Sequence, residues 1–195
     1  MYKANAQRVK VSKKFENYDD YLLSLEMTAE IEEFKSIDLQ RITQLTNKSN
    51  QFNLTTKRYT QNEIEKISSD GNYITLCGRL KDKFGDNGIV SVIIGRKEND
   101  ILHIDLWLMS CRVLKRNMEY AMLDCLVSEA KLHGIRNIYG YYLKTKKNNM
   151  VKSLFSDFGF EKISEDIEEN TVWEMDIKNY IPKNNLITVK QTQKV

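Results

Sequence analysis

Met109-Ser110-Cys111-Arg112-Val113-Leu114-Lys115-Arg116-Asn117 closes an apolar strand, turns, and opens directly into a long amphipathic segment. Downstream, apolar residues at 114, 118, 121, 122 and 125 keep helical spacing, and Gly134 stands where a helix C-terminus favours glycine, so a helix is predicted over 113–133. A strand follows from Ile135 to Leu143, then a second helix from Asn148 to Phe158, whose end reads Leu154-Phe155-Ser156-Asp157-Phe158-Gly159-Phe160. Strand, charged turn, helix, strand, helix is an order that can place an anion-binding turn beside a sheet.

Upstream of this stretch, Tyr73 to Leu80, Ile89 to Ile94 and Ile101 to Met109 read as strands separated by short Gly/Asn/Asp turns, which predicts an antiparallel meander. Thr60 and Glu63 form a capping-box pattern for a short helix ending near Ser68. Tyr18 to Phe34 and Leu39 to Leu45 have helical spacing. Asn47 to Thr60 (NKSNQFNLTTKRYT) reads as a polar loop, Thr171 to Ile177 as the last strand, and the residues beyond Pro182 as a disordered tail. The expected organisation is a helical N-terminal extension over 1–38, one domain over 39–178 and a flexible basic tail over 179–195.

With 41% hydrophobic and 29% charged residues, the 195-residue chain has the composition of a soluble globular protein with a sizeable core. No apolar run approaches the about 20 residues of a membrane span. Cys77, Cys111 and Cys125 are too few and too scattered for a disulfide framework or a zinc site, so no metal and a reducing cytoplasm are expected. The net charge of +3 hides a basic start, an acidic stretch over 15–38 and a basic end. Few aromatics interleave those basic stretches, which argues against nucleic-acid binding.

These motifs resemble those of GNAT acyltransferases. The resemblance implies an α+β, GNAT-like acyl-CoA N-acyltransferase fold, a mixed, mostly antiparallel sheet flanked by helices. Such proteins hold the coenzyme A pyrophosphate on helix-start amides in a turn of pattern Q/R-x-x-G-x-G/A. By that resemblance Arg112, Val113, Leu114, Lys115, Arg116, Asn117 and Asn148 are the cofactor-binding positions, with Lys115 and Asn117 standing where the pattern has glycine. Phe155 occupies the position of the tyrosine that protonates the leaving thiolate.

The motifs NKSNQFNLTTKRYT, FGDNGIVSV (84–92), LMSCRVL (108–114) and Lys147-Asn148 are together similar to the C-terminal GNAT-like region of the FkbH family, over about residues 1–178. That resemblance implies work on coenzyme A or 4'-phosphopantetheine thioesters in methoxymalonyl- or glyceryl-type polyketide biosynthesis. It implies an acyl carrier protein as partner. Full-length members join a HAD-type phosphatase to this region, and no D-x-D-x-T/V signature occurs in this sequence, so the implied HAD-type partner is split off, lost or outside these residues. Within it, Gln51, Asn53 and Arg58 are candidate substrate contacts, or a loop capping its own backbone.

Three catalytic candidates remain. Cys111 ends the central strand near a helix start, where a thiol is activated and can carry an acyl group; the alternative is a small buried residue. His103 and Asp105 share one strand face with Trp107 by alternation, as a general base or as mutually satisfied polar groups. Two functions follow: a GNAT-type acyltransferase with an altered pyrophosphate turn and no tyrosine acid, or a non-catalytic module that docks a carrier protein.

Overall fold

In the computed structural model, which describes residues 2–190, the expected meander is the centre of one mixed, mostly antiparallel sheet. Its strands are β1 (Thr28–Glu32), β2 (Phe52–Asn53), β3 (Tyr73–Asp82), β4 (Gly85–Glu98), β5 (Ile101–Met109), β6 (Asn137–Tyr142), β7 (Glu161–Glu165), β8 (Thr171–Asp176) and β9 (Thr188–Lys190). They lie in the order β7-β8-β6-β5-β4-β3-β1-β9, with β2 added beside β5. The helices are α1 (Tyr2–Ser12), α2 (Tyr18–Ser24), α3 (Leu39–Lys48), α4 (Gln61–Ser69), α5 (Met118–Leu132) and α6 (Leu154–Asp157).

One core packs α2, α5 and α6 against the sheet through Leu22, Leu123, Leu126 and Phe155; α3 and α4 cover the other face through Ile42, Leu45 and Ile64. Local chemistry sets several of these elements. Thr60 and Glu63 form the reciprocal capping box that starts α4. Gly134, at φ 71, ends α5 as expected, with the Ile135 N–H donating back to Ala130 O at 3.0 Å. Among the described residues no helix is long and apolar enough to cross a membrane.

Elsewhere the fold departs from expectation. Residues 28–32 are a strand, because pairing with β3 from Thr28↔Lys81 to Glu32↔Cys77 outweighs a weak helical pattern. α5 starts at Met118, since Asn117 is left-handed (φ 60) and cannot continue a helix from the short 3₁₀ turn at Cys111–Val113. The expected helix over 148–158 is a 3₁₀ turn, Asn149–Val151, followed by one turn of α-helix. β7 carries only exposed residues, so it has no buried alternation to read. β9 pairs in parallel with β1, and the Asp124 carboxylate accepts from Tyr180 Oη (2.6 Å) and the Asn184 N–H (2.9 Å). The segment expected to be a loose tail is therefore tied down as far as Lys190; residues 191–195 lie outside the described residues.

Two features of β5 position everything that follows. Its parallel ladder with β6 holds for only three pairs, Ile101↔Asn137 to His103↔Tyr139, and the strands then diverge. Against β4 it carries a bulge: Gly95 pairs with Ile104 and Ile94 with Leu106, leaving Asp105 unmatched. The bulge reverses the alternation. Ile104 and Trp107 both enter the α5 core, so Trp107 does not share a face with His103 and Asp105 as simple alternation predicts.

Candidate active site

The turn from Ser110 to Asn117 has left-handed backbone at both positions where the motif has glycine. Lys115 has φ 63 and Asn117 φ 60, both left-handed. For lysine that conformation costs roughly 1–2 kcal/mol; asparagine tolerates it better. Tyr18 Oη of α2 donates to the Lys115 carbonyl at 2.8 Å and braces the turn. Lys115→Gly is therefore expected to raise stability by about 0.5–1 kcal/mol in thermal denaturation, and Asn117→Gly by less. Equal melting of Lys115→Gly and parent would show that the turn is unstrained.

The charges of this turn point in different directions. Lys115 is exposed. Arg116 is buried: it donates to Asp82 Oδ2 at 3.0 Å and to the Arg112 carbonyl at 3.0 Å. It is thus turned away from any phosphate at the helix start. Arg112 donates through Nε to Ser110 Oγ at 3.2 Å. Val113 is buried in the core and Leu114 packs partly against it, so those two offer backbone groups alone. At the second position of α5, burial pushes the Glu119 pKa up. Its Oε2 is buried without a partner among the described residues.

The gap between the diverging β5 and β6 is filled by the chain itself. Phe52 and Asn53 pair with Met109 and Leu108 along the edge of β5. The Leu54 N–H donates to Trp107 O at 3.1 Å, and the Leu143 N–H to Leu54 O at 2.8 Å. Asn148, fully buried, latches this insert: its Nδ2 donates to Asn53 O and Leu143 O, both at 2.9 Å, and its Oδ1 accepts from the Thr145 N–H at 2.8 Å. Asn53 Nδ2 donates to Ser49 O at 3.1 Å, while its Oδ1 accepts from the Thr56 N–H at 2.8 Å. Arg58 donates to Thr46 O, Ser49 O and Asn50 Oδ1. Asn53 and Arg58 therefore knit their own loop; Asn53 is buried, Arg58 is exposed but tied to that loop, and Gln51 is exposed.

His103 stands at the fork, on the last paired residues of β5 and β6. Its Nδ1 lies 2.7 Å from Tyr141 Oη and its Nε2 3.4 Å from Glu98 Oε2. Burial, then the nearby Arg96 cation, lowers the imidazole pKa below its ordinary 6.5. Asp105 pairs with Lys57 (3.4 Å) and Arg96 (3.5 Å). These two residues share a face but bond to different partners. Cys111 is exposed on the turn. His103 lies six residues back from the end of β5, about 20 Å along an extended strand, so it is no base for that thiol. Burial pushes the other thiols up, Cys77 to about 12 and Cys125 to about 11.

The neutral imidazole carries a pH signature. The unfolded chain takes up a proton near pH 6.5 while the folded one resists it, so stability is lost as pH falls from there toward the lowered folded value. His103→Gln is expected to flatten the melting temperature between pH 7 and 5.5; an unchanged slope would remove His103 as the cause.

Phe155, at the position where the motif has a tyrosine acid, is fully buried. Its ring centroid lies 5.0 Å from that of Phe160, and its edge closes on Gly140. Among the described residues no group of three or more His, Cys, Asp or Glu side chains can hold a metal ion.

No protein-family model matches the sequence, and no curated protein does. Solved structures do. Ribosomal-protein-S18-alanine N-acetyltransferase from Escherichia coli is 11% identical with a TM-score of 0.58, covering 79% of this chain and 99% of that one. PaiA N-acetyltransferase from Thermoplasma acidophilum, in complex with coenzyme A, is 15% identical with a TM-score of 0.55, covering 76% and 99%. A GNAT-family acetyltransferase from Staphylococcus aureus Mu50 is 15% identical with a TM-score of 0.57, covering 77% and 100%. The chain has the GNAT acetyltransferase fold.

Proposed function

We propose that this chain is an acyltransferase-type domain whose donor is a phosphopantetheine thioester borne on a carrier protein, in preference to free coenzyme A. The observation that carries the reading is the contrast within one turn. The left-handed backbone at Lys115 and Asn117 is kept. Yet Arg116 is withdrawn onto Asp82, and Glu119 sets a buried carboxyl in the first turn of the helix. Free coenzyme A brings a diphosphate and a nucleotide that need such a seat; a carrier-borne arm brings a single phosphate. The exposed Lys115, Lys146 and Lys147 give an acidic carrier a basic approach, an effect on encounter rate that salt screens.

In this reading the acceptor's lone pair attacks the thioester carbonyl at the fork. His103, held neutral and oriented by Tyr141, takes the acceptor's proton, and the arm's sulfur leaves as a thiolate that is then reprotonated. The sealed position of Phe155 leaves that last proton to solvent or to His103. The methoxymalonyl or glyceryl setting and a separate HAD-type phosphatase rest on the family resemblance and belong to the same proposal. A second reading, a carrier-docking module without turnover, is favoured by the filled gap between β5 and β6. Intact-mass analysis of an acylated holo-carrier protein, incubated with the chain and a panel of amine, hydroxyl and thiol acceptors, decides between them. Loss of acyl mass that His103→Gln abolishes supports catalysis. No loss with any acceptor sinks the catalytic reading, and persistent complex formation then leaves docking.

A further inference from the structure

We infer that the loop over 49–58 is a removable plug, and that Phe52–Thr55 competes with an extended, amide-bearing arm for a single slot between β5 and β6. The inference rests on the thioester reading above. Where the two strands part, each leaves a row of backbone groups without a neighbouring strand, and the loop supplies strand-like hydrogen bonds to both. An arm built of two amides in an extended chain can make the same bonds, by the strand addition that sheet edges accept. Slot and insert are chemically interchangeable.

Two observations indicate that the seated insert is not the only state. Its outer end turns at Thr56, a β-branched residue at φ 55, where a left-handed backbone is a true outlier. Opening it breaks the Asn148 latch, the two backbone bonds of Leu54, the Phe52–Asn53 pairing and a 2.8 Å bond from Thr55 Oγ1 to Asp105 O, and uncovers the buried side chains of Phe52 and Leu54. The strand ends flanking Leu54 each carry a fully buried polar atom without a partner among the described residues, Trp107 Nε1 and Tyr142 Oη. Native interiors pair such groups, and both are donors that the carbonyls of a guest arm would satisfy.

A plug of this kind taxes binding by the fraction of time the slot stands open. Thr55→Val keeps the side-chain shape, removes one anchoring bond, and should raise the open fraction about fivefold. Amide-resolved hydrogen exchange reads the opening directly. The Leu54 and Leu143 amides of the parent should exchange at least about 100-fold faster than those of the β4–β5 ladder, and Thr55→Val should speed those two alone. Exchange as slow as the ladder's overturns the plug. Binding of S-acetyl-phosphopantetheine is then measured by calorimetry on parent and variant, with affinity expected to rise in the variant by the same factor as the opening. Equal affinity in both proteins overturns the plug while leaving the thioester reading intact, because the arm would then bind elsewhere. No binding to either protein overturns both.

Discussion

Replacing Asp82 with alanine is expected to lower the unfolding free energy by about 3–5 kcal/mol, a drop of roughly 10 °C in melting temperature for a chain of this size. Asp82 is the sole carboxylate among the described contacts of two buried guanidiniums. Arg8 of α1 donates to both its oxygens at 2.8 Å, and Arg116 donates at 3.0 Å. The side chains are 7%, 0% and 9% exposed for Arg8, Asp82 and Arg116, so water does not replace the lost partner. Burial opposes the charged carboxylate, but Arg8, the Phe84 amide and Arg116 together hold its pKa below the ordinary 3.8. Its contribution is therefore present above that pH and lost as pH falls through the lowered value. The triple replacement Arg8→Met, Asp82→Leu, Arg116→Met removes all three charges and is expected to melt close to the parent, because no buried charge is left alone. A loss below about 1 kcal/mol for Asp82→Ala would show that both guanidiniums reach water, and would return Arg116 to the candidate phosphate contacts.

The second large effect is expected at Gly140. A methyl there would sit 2.3 Å from both Cε1 and Cζ of Phe155. The ring has nowhere to go, since Phe160 and Trp173 lie at centroid distances of 5.0 and 6.4 Å. Gly140→Ala should destabilise by about 3 kcal/mol, at the upper end of ordinary overpacking, and adding Phe155→Leu should recover part of it. The same contact decides what Phe155→Tyr can do. Its hydroxyl would extend from Cζ over Gly140, so the variant is expected to lose stability and to gain no proton donor for chemistry. A stable Phe155→Tyr protein with faster acyl transfer would contradict this packing.

Much of the fold is legible in local sequence signals. The meander over 73–109, the helix closed by Gly134 and the Thr60–Glu63 box each follow from residues close together in the chain. What is not legible depends on contacts between distant segments. The bulge at Asp105 moves Trp107 to the other face, and nothing in the residues 101–109 announces it. The insertion of Phe52–Thr55 beside β5 reads in sequence only as a polar loop. Arg116 looks like a phosphate contact until Asp82, 34 residues earlier, is brought beside it. The motif singles out Asn148, but its role as a latch on Asn53 joins residues 95 positions apart. Lys115 and Asn117 are readable as replacements for glycine, but that they keep glycine's backbone emerges only from the folded chain. Tyr141, the partner of His103, is missed by sequence reasoning; its signal is a tyrosine on β6 two residues past the last parallel pair, His103↔Tyr139.

The affinity ratio between S-acetyl-phosphopantetheine and acetyl-CoA, measured by calorimetry on the unmodified chain, tests the central claim most directly. The turn at Arg112–Asn117 is a poor seat for a diphosphate once Arg116 is engaged by Asp82 and Glu119 sets a buried carboxyl in the first turn of α5. The two ligands are therefore expected to bind within about threefold of each other, each weakly, because the adenosine diphosphate end of coenzyme A adds little. Acetyl-CoA binding tenfold or more tightly than the shorter arm would contradict the claim, and would mark this turn as a working pyrophosphate site despite its lysine and asparagine.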